Sequence, residues 1–383
     1  EEDSTEDEKQ EMAELVRQAI KDGAVGFSSS RNPGHRIPDG RSVPGTYAPL
    51  EIAKAVGGEG ALMQNVMNMS NIEEEMELLK KEAGQARVLF SHYTGGTSSF
   101  GDKIEAKVMS MRGDGLDVSG MIIPRASGFL SGLQGYPLWR GGPWDELNAM
   151  MLEERLLAIR DEKFSRRLVE YSVSNDPIIA AEYIYPLGDG DKPNYIGGAE
   201  ESLKALADAA GEHPAETFIR MSSRSEGKAL FTLRALNRNM DALSKAISSE
   251  FCLPGLGDAG AHVSEIMDSG WATFTISYWH RDTNLLSLSE VVRQLTSAPG
   301  RIIGLNDRGT LERGKKADLN VINLGALSER MPEFVYDLPG GARRLTQKAL
   351  GYRATICNGV TILENDQHTG SRAGSIVRHG SVN

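Results

Sequence analysis

Cysteine is almost absent from the 383 residues: only Cys252 and Cys357 occur, far apart and without Cys-x-x-Cys spacing. That argues against a disulfide framework and against a cysteine-based zinc site, and makes a reducing compartment, the cytoplasm, the default expectation. No apolar run approaches the ~18 residues of a transmembrane helix, so no membrane partner is expected. Lysine and arginine (42) are outnumbered by aspartate and glutamate (53), for a net charge of -11. The basic residues are nowhere clustered, and a nucleic-acid partner needs such clusters to displace counterions. Glu1 is neither an initiator methionine nor the start of a charged-then-apolar leader, so the chain is expected to begin part-way through a longer protein. No internal repeat and no low-complexity tract occurs beyond the acidic first eight residues, which read as a solvated helix start.

What is there is an α/β pattern. Hydrophobic residues at 40%, charged residues at 25% and 42 glycines suit a soluble, turn-rich protein, and the length allows a barrel of ~250 residues with a smaller second domain. Thr5 and Glu8 have capping-box spacing, and Met12, Leu15, Val16, Ala19 and Ile20 recur at helical period before Gly23. Short buried strands are expected at 24–29, 61–66, 87–92 and 116–123, with helical stretches at 71–83 and 102–112 between the later ones. Strand, helix, strand in repeated order implies parallel pairing, as a barrel or a doubly wound sheet. A fifth strand is expected at 177–185 and a last one at 251–257, making six, two short of eight. Segments 126–176 and 186–250 break the spacing and read as insertions with helices at 144–161, 199–211 and 228–248. From 307 onward short β-like runs (317–322, 354–357, 361–363, 375–379) indicate a small closing β domain after a barrel portion at 1–306.

Candidate chemistry gathers at strand ends. Asp258 follows the apolar run Phe251-Cys252-Leu253-Pro254, and His92 ends the run Arg87-Val88-Leu89-Phe90-Ser91, with Tyr93 next. Both stand where a barrel keeps metal ligands or bases, and imidazole nitrogen with carboxylate oxygen suits a zinc-like ion. The structural alternatives are a hydrogen-bonded pocket histidine and an aspartate that ties down its own turn. Arg125, the first polar group after Met121-Ile122-Ile123-Pro124, either clamps a substrate carboxylate or is tied to loop carbonyls. His262 either positions Asp258 and lines the pocket or caps the following helix. His35, with Arg36 and Tyr47, sits on a loop positioned to touch substrate. His280 beside Trp279 reads as packing, and His213, His368 and His379 carry no role.

These motifs together resemble the amidohydrolase superfamily, in its N-acyl-D-amino-acid deacylase branch. The resemblance is carried by Gly23-Ala24-Val25-Gly26-Phe27-Ser28, Ser91-His92-Tyr93, Gly257-Asp258-Ala259-Gly260-Ala261-His262, Trp279-His280-Arg281, Asp307-Arg308-Gly309 and Ala317-Asp318-Leu319. The Ser-His-Tyr and Asp-Ala-Gly-Ala-His pair, in that order, points to the deacylase branch. The resemblance implies a (β/α)8 TIM-type barrel with a small C-terminal β-sandwich domain, binding one or two zinc ions. His92 matches the fifth-strand ligand and Asp258 the eighth-strand aspartate, which also serves as proton acceptor. The first-strand His-x-His pair has no counterpart here and should lie upstream of Glu1, and neither cysteine stands where the branch has its bridging cysteine. No histidine follows the sixth strand, which favours one ion over two.

The implied reaction is hydrolysis of a linear amide in a small molecule that also carries a carboxylate, with Arg125, Tyr93 and His262 as substrate contacts. Two alternatives stand beside it. One is a non-catalytic remnant or assembly subunit, expected to be poorly stable alone or dependent on an oligomeric partner because missing strands expose sheet edges. The other is cyclic-amide or deaminase chemistry.

Overall fold

The computed structural model describes residues 4–43, 48–95, 98–126, 129–255, 257, 259–260 and 262–380. Helix α1 (Glu6–Lys21) opens on the expected capping box: the Thr5 N–H donates to Glu8 Oε2 at 2.7 Å and the Glu8 N–H to Thr5 Oγ1 at 3.3 Å. The chain then alternates β1 (Gly26–Ser30), α2 (Leu50–Gly58), β2 (Leu62–Val66), α3 (Ile72–Ala83), β3 (Arg87–Ser91), α4 (Ser98–Gly113) and β4 (Val118–Ile122). Each helix carries the chain back to the starting end of the sheet, so neighbouring strands run parallel. Gly26 lies opposite Leu62, Leu62 opposite Arg87 and Val88 opposite Val118.

After β4 the chain leaves this sheet for a long excursion: β5 (Leu130–Gly132), α5 (Pro143–Ala149), α6 (Leu152–Arg160), α7 (Glu162–Val173), β6 (Ile184–Pro186), α8 (Leu203–Ala210), α9 (Pro214–Arg224) and β7 (Leu230–Leu233). Helix α10 (Met240–Ser248) and β8 (Cys252–Pro254) bring it back, with Gly120 of β4 opposite Cys252. The parallel sheet therefore runs β1-β2-β3-β4-β8 among the described residues.

Two sequence expectations fail within this excursion. The strand expected at 177–185 is not part of the parallel sheet. Only Ile184–Pro186 is extended, and it pairs antiparallel with β7, which pairs on its other side with β5. The helix expected at 228–248 begins as a strand, because Leu230, Phe231, Thr232 and Leu233 are all buried between neighbours, a pattern that helical spacing cannot distinguish from a fully covered strand. The excursion has its own apolar core, in which the rings of Trp139 and Trp144 stack at 5.2 Å and Phe218 lies 5.0 Å from Phe231.

Period-two alternation divides the parallel strands into two faces. Met63, Val88, Phe90, Val118 and Ile122 join the main core with Met76, Leu79, Ile104, Val108 and Ile247 of the covering helices. Leu62, Leu89 and Leu253 turn the other way and pack with Ala298 and Ile302.

The chain continues through α11 (Trp271–Phe274), a π-helical run at Thr275–Asp282, α12 (Leu288–Leu295) and α13 (Ser297–Ile302). It closes in strands only: β9 (Leu319–Ile322), β10 (Ser328–Glu329), β11 (Glu333–Leu338), β12 (Ala342–Thr346), β13 (Ala349–Leu350), β14 (Tyr352–Cys357), β15 (Val360–Glu364) and β16 (Gln367–His368). These form a four-stranded antiparallel sheet, β16-β15-β14-β9, and two two-stranded ladders. The strand expected at 375–379 is instead a tail that packs back on the start of the chain, where the His379 N–H donates to Gly23 O at 3.0 Å.

Two motifs behind the family resemblance prove to be joints. Arg308 bonds Asp307 at 3.0 Å and Asp318 at 3.2 Å, while Asp318 also accepts the Asn358 N–H at 2.8 Å. Gly309 sits at φ +88°, and a Cβ there would meet the Ser297 backbone at 3.1 Å. Asp307-Arg308-Gly309 and Ala317-Asp318-Leu319 thus bolt the end of the α/β part to the β sheet.

Candidate active site

A cavity of about 140 Å³ opens at the C-terminal ends of the parallel strands, bordered by Val66, His92, Tyr93, Met121, Ile123 and Gly257. Ligands of parallel α/β folds bind at this end, because side chains from several strand ends and loops converge there.

His92 follows β3. Its backbone N–H continues the ladder to Met121 O at 2.8 Å, and its ring lies 5.9 Å from that of Phe90 and 5.6 Å from that of Phe251. The side chain is buried, Nδ1 has no hydrogen-bond partner among the described residues, and burial holds the imidazole down to about 4. A neutral imidazole with an unspent ring nitrogen is the form in which histidine binds a metal. The same alternation places the ring on the side of Val88 and Phe90, so its packing is that of an aromatic layer at the rim of the cavity.

Next along the chain, the Thr94 N–H donates to Asn237 Oδ1 at 3.1 Å, and Asn237 Nδ2 donates to Ile123 O at 3.2 Å. The buried Asn237 thereby locks the mouths of β3 and β4 together. Tyr93 borders the cavity as expected. Asp258 and Tyr47 lie outside the described residues.

The other candidates part company. Arg125 is wholly buried: one guanidinium nitrogen bonds Glu329 at 2.6 and 2.8 Å, the other bonds Met267 O at 2.8 Å, and the group stacks 3.7 Å over the Tyr195 ring. Burial opposes its charge most strongly of any one cause, but Glu329, Tyr195 and Asp268 together outweigh it and hold the guanidinium above its ordinary range. Of the two sequence readings, this geometry is the tied arginine rather than a clamp open to a ligand, because Glu329 already fills the bidentate position and Arg125 does not border the cavity. The hydroxyl of Tyr195 is pushed up by burial and accepts from Gln347 Nε2 at 3.1 Å.

His262 is exposed, with its ring 5.7 Å from Phe129, and does not border the cavity. Its carbonyl accepts the N–H groups of Glu265 and Ile266, which closes a turn; the next helix starts only at Trp271. His280 bonds Leu286 O at 2.9 Å, in keeping with its reading as a packing residue, and His213, which was given no role, caps α9. Cys252 is buried in β8 with its thiol pushed up by burial, which makes it inert rather than a ligand at neutral pH.

Sequence reasoning missed Asp268, a buried carboxylate that borders the cavity and lies 3.9 Å from Arg125. Its only signal is a carboxylate directly after the buried pair Ile266-Met267 and before Ser269-Gly270. Gly257 keeps this corner open: a Cβ there would come within 2.5 Å of Ile123 and 2.6 Å of Asp268 Oδ2. His35, exposed and bonded to Ser30 Oγ at 2.7 Å, borders the same cavity from the loop after β1. That loop is anchored by Arg31, whose Nε donates to the buried Glu75 of α3 at 2.7 Å.

Donor chemistry here suits zinc in part. His92, His35 and Asp268 are nitrogen and oxygen donors of the right kind, but no three His, Cys, Asp or Glu side chains converge among the described residues.

Residues 253–363 match the amidohydrolase family. The whole fold is similar to solved structures of D-aminoacylase, one of them described for the functional role of its binuclear metal centre, with a TM-score of 0.59 at 17% identity. It is similar as well to N-acyl-D-glutamate deacylase from Bordetella bronchiseptica complexed with zinc and a phosphonate inhibitor, with a TM-score of 0.57 at 18% identity. Each match covers 98% of this chain and 67% of the other. Among curated proteins there is no significant match. At such identity the structural likeness is one of fold: a parallel (β/α) barrel portion with a closing β domain.

Proposed function

We propose that the chain, whose residues 253–363 match the amidohydrolase family, serves a metal-dependent hydrolase of linear amides, with N-acyl-D-amino acids as the substrate class. The observation that carries the reading is the neutral, buried His92 with its unpartnered Nδ1 at the rim of the strand-end cavity. His92 and Asp258 would hold the ion. A single zinc is favoured over two because Met121-Ile122-Ile123-Pro124 contains no histidine. Zinc, when bound, supplies Lewis-acid polarisation of the acyl oxygen and a nucleophile at neutral pH.

The chain's own residues do the rest. The carboxylate of Asp258 accepts the proton of the attacking water and returns it to the departing amine nitrogen. The apolar wall of Val66, Met121 and Ile123 limits water around the acyl group. Tyr93 contacts the substrate, and His35, on the exposed side, meets the end that carries the carboxylate. Arg125 and His262 are not assigned a substrate contact, since one is engaged by Glu329 and the other faces solvent.

The test is zinc content together with turnover. N-acetyl-D-amino acids, their L enantiomers and cyclic amides are offered to the chain and to a version extended upstream, with His92→Ala and Asp258→Ala in each. Zinc and D-selective deacylation that both variants abolish is the expected result. Activity within a few-fold of the parent in either variant overturns the ligand assignment.

A second reading, a non-catalytic or assembly subunit, is favoured by the open sheet, in which β1 and β8 each pair on one side only among the described residues. Zinc in neither form of the chain would select it.

A further inference from the structure

A larger cavity than the one at the strand ends lies elsewhere in the molecule. About 690 Å³ opens within the excursion between β6, α8, α9 and the chain around Met331, and it shares no lining residue with the cavity at His92. That volume lies within the ~300–1,000 Å³ of small-molecule sites.

Its lining is divided. Leu206 of α8, Met221 of α9, Ala229 and Met331 are half-buried and form the apolar wall. The charged residues are more open, and they carry both signs. Arg220 is held by Glu212, with contacts of 2.8 to 3.0 Å. Arg224, one turn further along α9, and Lys228 make no side-chain hydrogen bond or ion pair with any described residue. On the acidic side, Glu201 takes only the Asn194 amide at 2.7 Å, and Asp189 has no ion-pair or hydrogen-bond partner among the described residues.

Neither Arg224 nor Lys228 pairs with Asp189 or Glu201, although all four line one cavity. Unpaired charges of opposite sign around one apolar wall are the complement of a molecule that carries both charges on an apolar body. A simple anion would leave the carboxylates facing it, and a simple cation would face the arginine and lysine. The lining itself holds three cations, Arg220, Arg224 and Lys228, and two carboxylates, Asp189 and Glu201; with Arg220 engaged by Glu212 beside the lining, charges of both signs are left to face a ligand.

We infer that this cavity binds a zwitterion with apolar side chains, a free amino acid or short peptide, with its carboxylate at Arg224 and Lys228, its ammonium at Asp189 and Glu201, and its side chains on Leu206, Met221 and Met331. The assignment stands apart from the chemistry at His92.

The experiment is calorimetric titration of the full chain with four probes: leucine, leucyl-leucine, N-acetyl-leucine, which lacks the ammonium, and leucinamide, which lacks the carboxylate. Leucine and leucyl-leucine, which separate the two sources of this chemistry, are expected to bind more tightly than either singly charged probe. Arg224→Ala/Lys228→Ala, at exposed positions with no partner to lose, is expected to weaken zwitterion binding about tenfold or more, the size set by two solvent-facing charge contacts. Asp189→Ala is expected to erase the preference for leucine over N-acetyl-leucine. Equal binding of all four probes, unchanged affinity in the double variant, or no binding of either zwitterion at millimolar concentration overturns the inference.

Discussion

The mouths of β3 and β4 lie side by side, and each ends in a buried polar side chain, yet the two are opposites. Arg125, beyond β4, keeps its charge because Glu329, Met267 O and the Tyr195 ring surround it. His92, beyond β3, has given up its charge and keeps an unspent ring nitrogen against Phe90 and Phe251. Arg125 does not border the cavity and its charge is answered by Glu329, with only its Nε left without a partner among the described residues, so it is an architectural device tying the α/β part to β10. His92 borders the cavity with a ring nitrogen unmet among the described residues, so function is to be sought at β3 rather than at β4.

That contrast can be broken by mutation, and the largest effect is expected at the satisfied pair. Glu329→Ala leaves the Arg125 charge buried and unpaired and should cost about 3–5 kcal/mol, whereas Arg125→Met/Glu329→Leu should restore most of it. Thermal unfolding of the three proteins decides, and a single variant as stable as the parent would remove Arg125 from the architecture.

Next comes Glu82 of α3, a buried carboxyl whose one hydrogen bond among the described residues is from Asn65 Nδ2 at 2.5 Å, and which burial pushes up to about 7. Its folded value is above its unfolded one, so its contribution to stability is fully present below about 4.5 and is lost as pH rises through 7. Glu82→Gln should therefore flatten the pH dependence by roughly 2–3 kcal/mol between pH 5 and 8, allowing for partial exposure. Parallel pH curves for parent and variant in urea unfolding would refute this.

Gly257→Ala should cost about 1–3 kcal/mol by crowding Ile123 and Asp268. It should lower turnover as well, by turning the Asp268 carboxylate that borders the cavity; stability lost with turnover untouched would take Asp268 out of the site. The smallest effect is expected at His92. His92→Leu removes an unmet polar atom from an aromatic layer and should leave stability within about 1 kcal/mol of the parent, with zinc binding abolished. A loss as large as that of Glu329→Ala would make His92 a structural residue like its neighbour.

The pattern of legibility follows the same line. The runs at 61–66, 87–92 and 116–123 were readable as strands because a parallel strand is covered on both faces and the signal is a short, largely apolar stretch, while 24–29, only partly covered, was readable from its place after a helix and Gly23. The capping box at Thr5 and Glu8 was readable because cap geometry depends on four consecutive residues. The run 230–233 was misread because it is buried all round. The strand assigned to 177–185 was misplaced because its partner, β7, lies almost fifty residues on, which no local pattern reports.

At the site, His92 and Tyr93 were legible from their place after a strand. Asp268, His35 at the cavity and the partner of Arg125 were not, since each depends on segments far apart in the chain coming together. By itself the sequence determined the parallel strand–helix order, the strand-end position of His92, and the motifs by which residues 253–363 match the amidohydrolase family, all of which are local patterns of burial and turn chemistry. Only the tertiary structure decided that Arg125 belongs to Glu329, 204 residues away. It alone decided that His92 remains unmet and that a second, two-signed cavity opens in the excursion, because pairing and its absence are properties of space rather than of sequence distance.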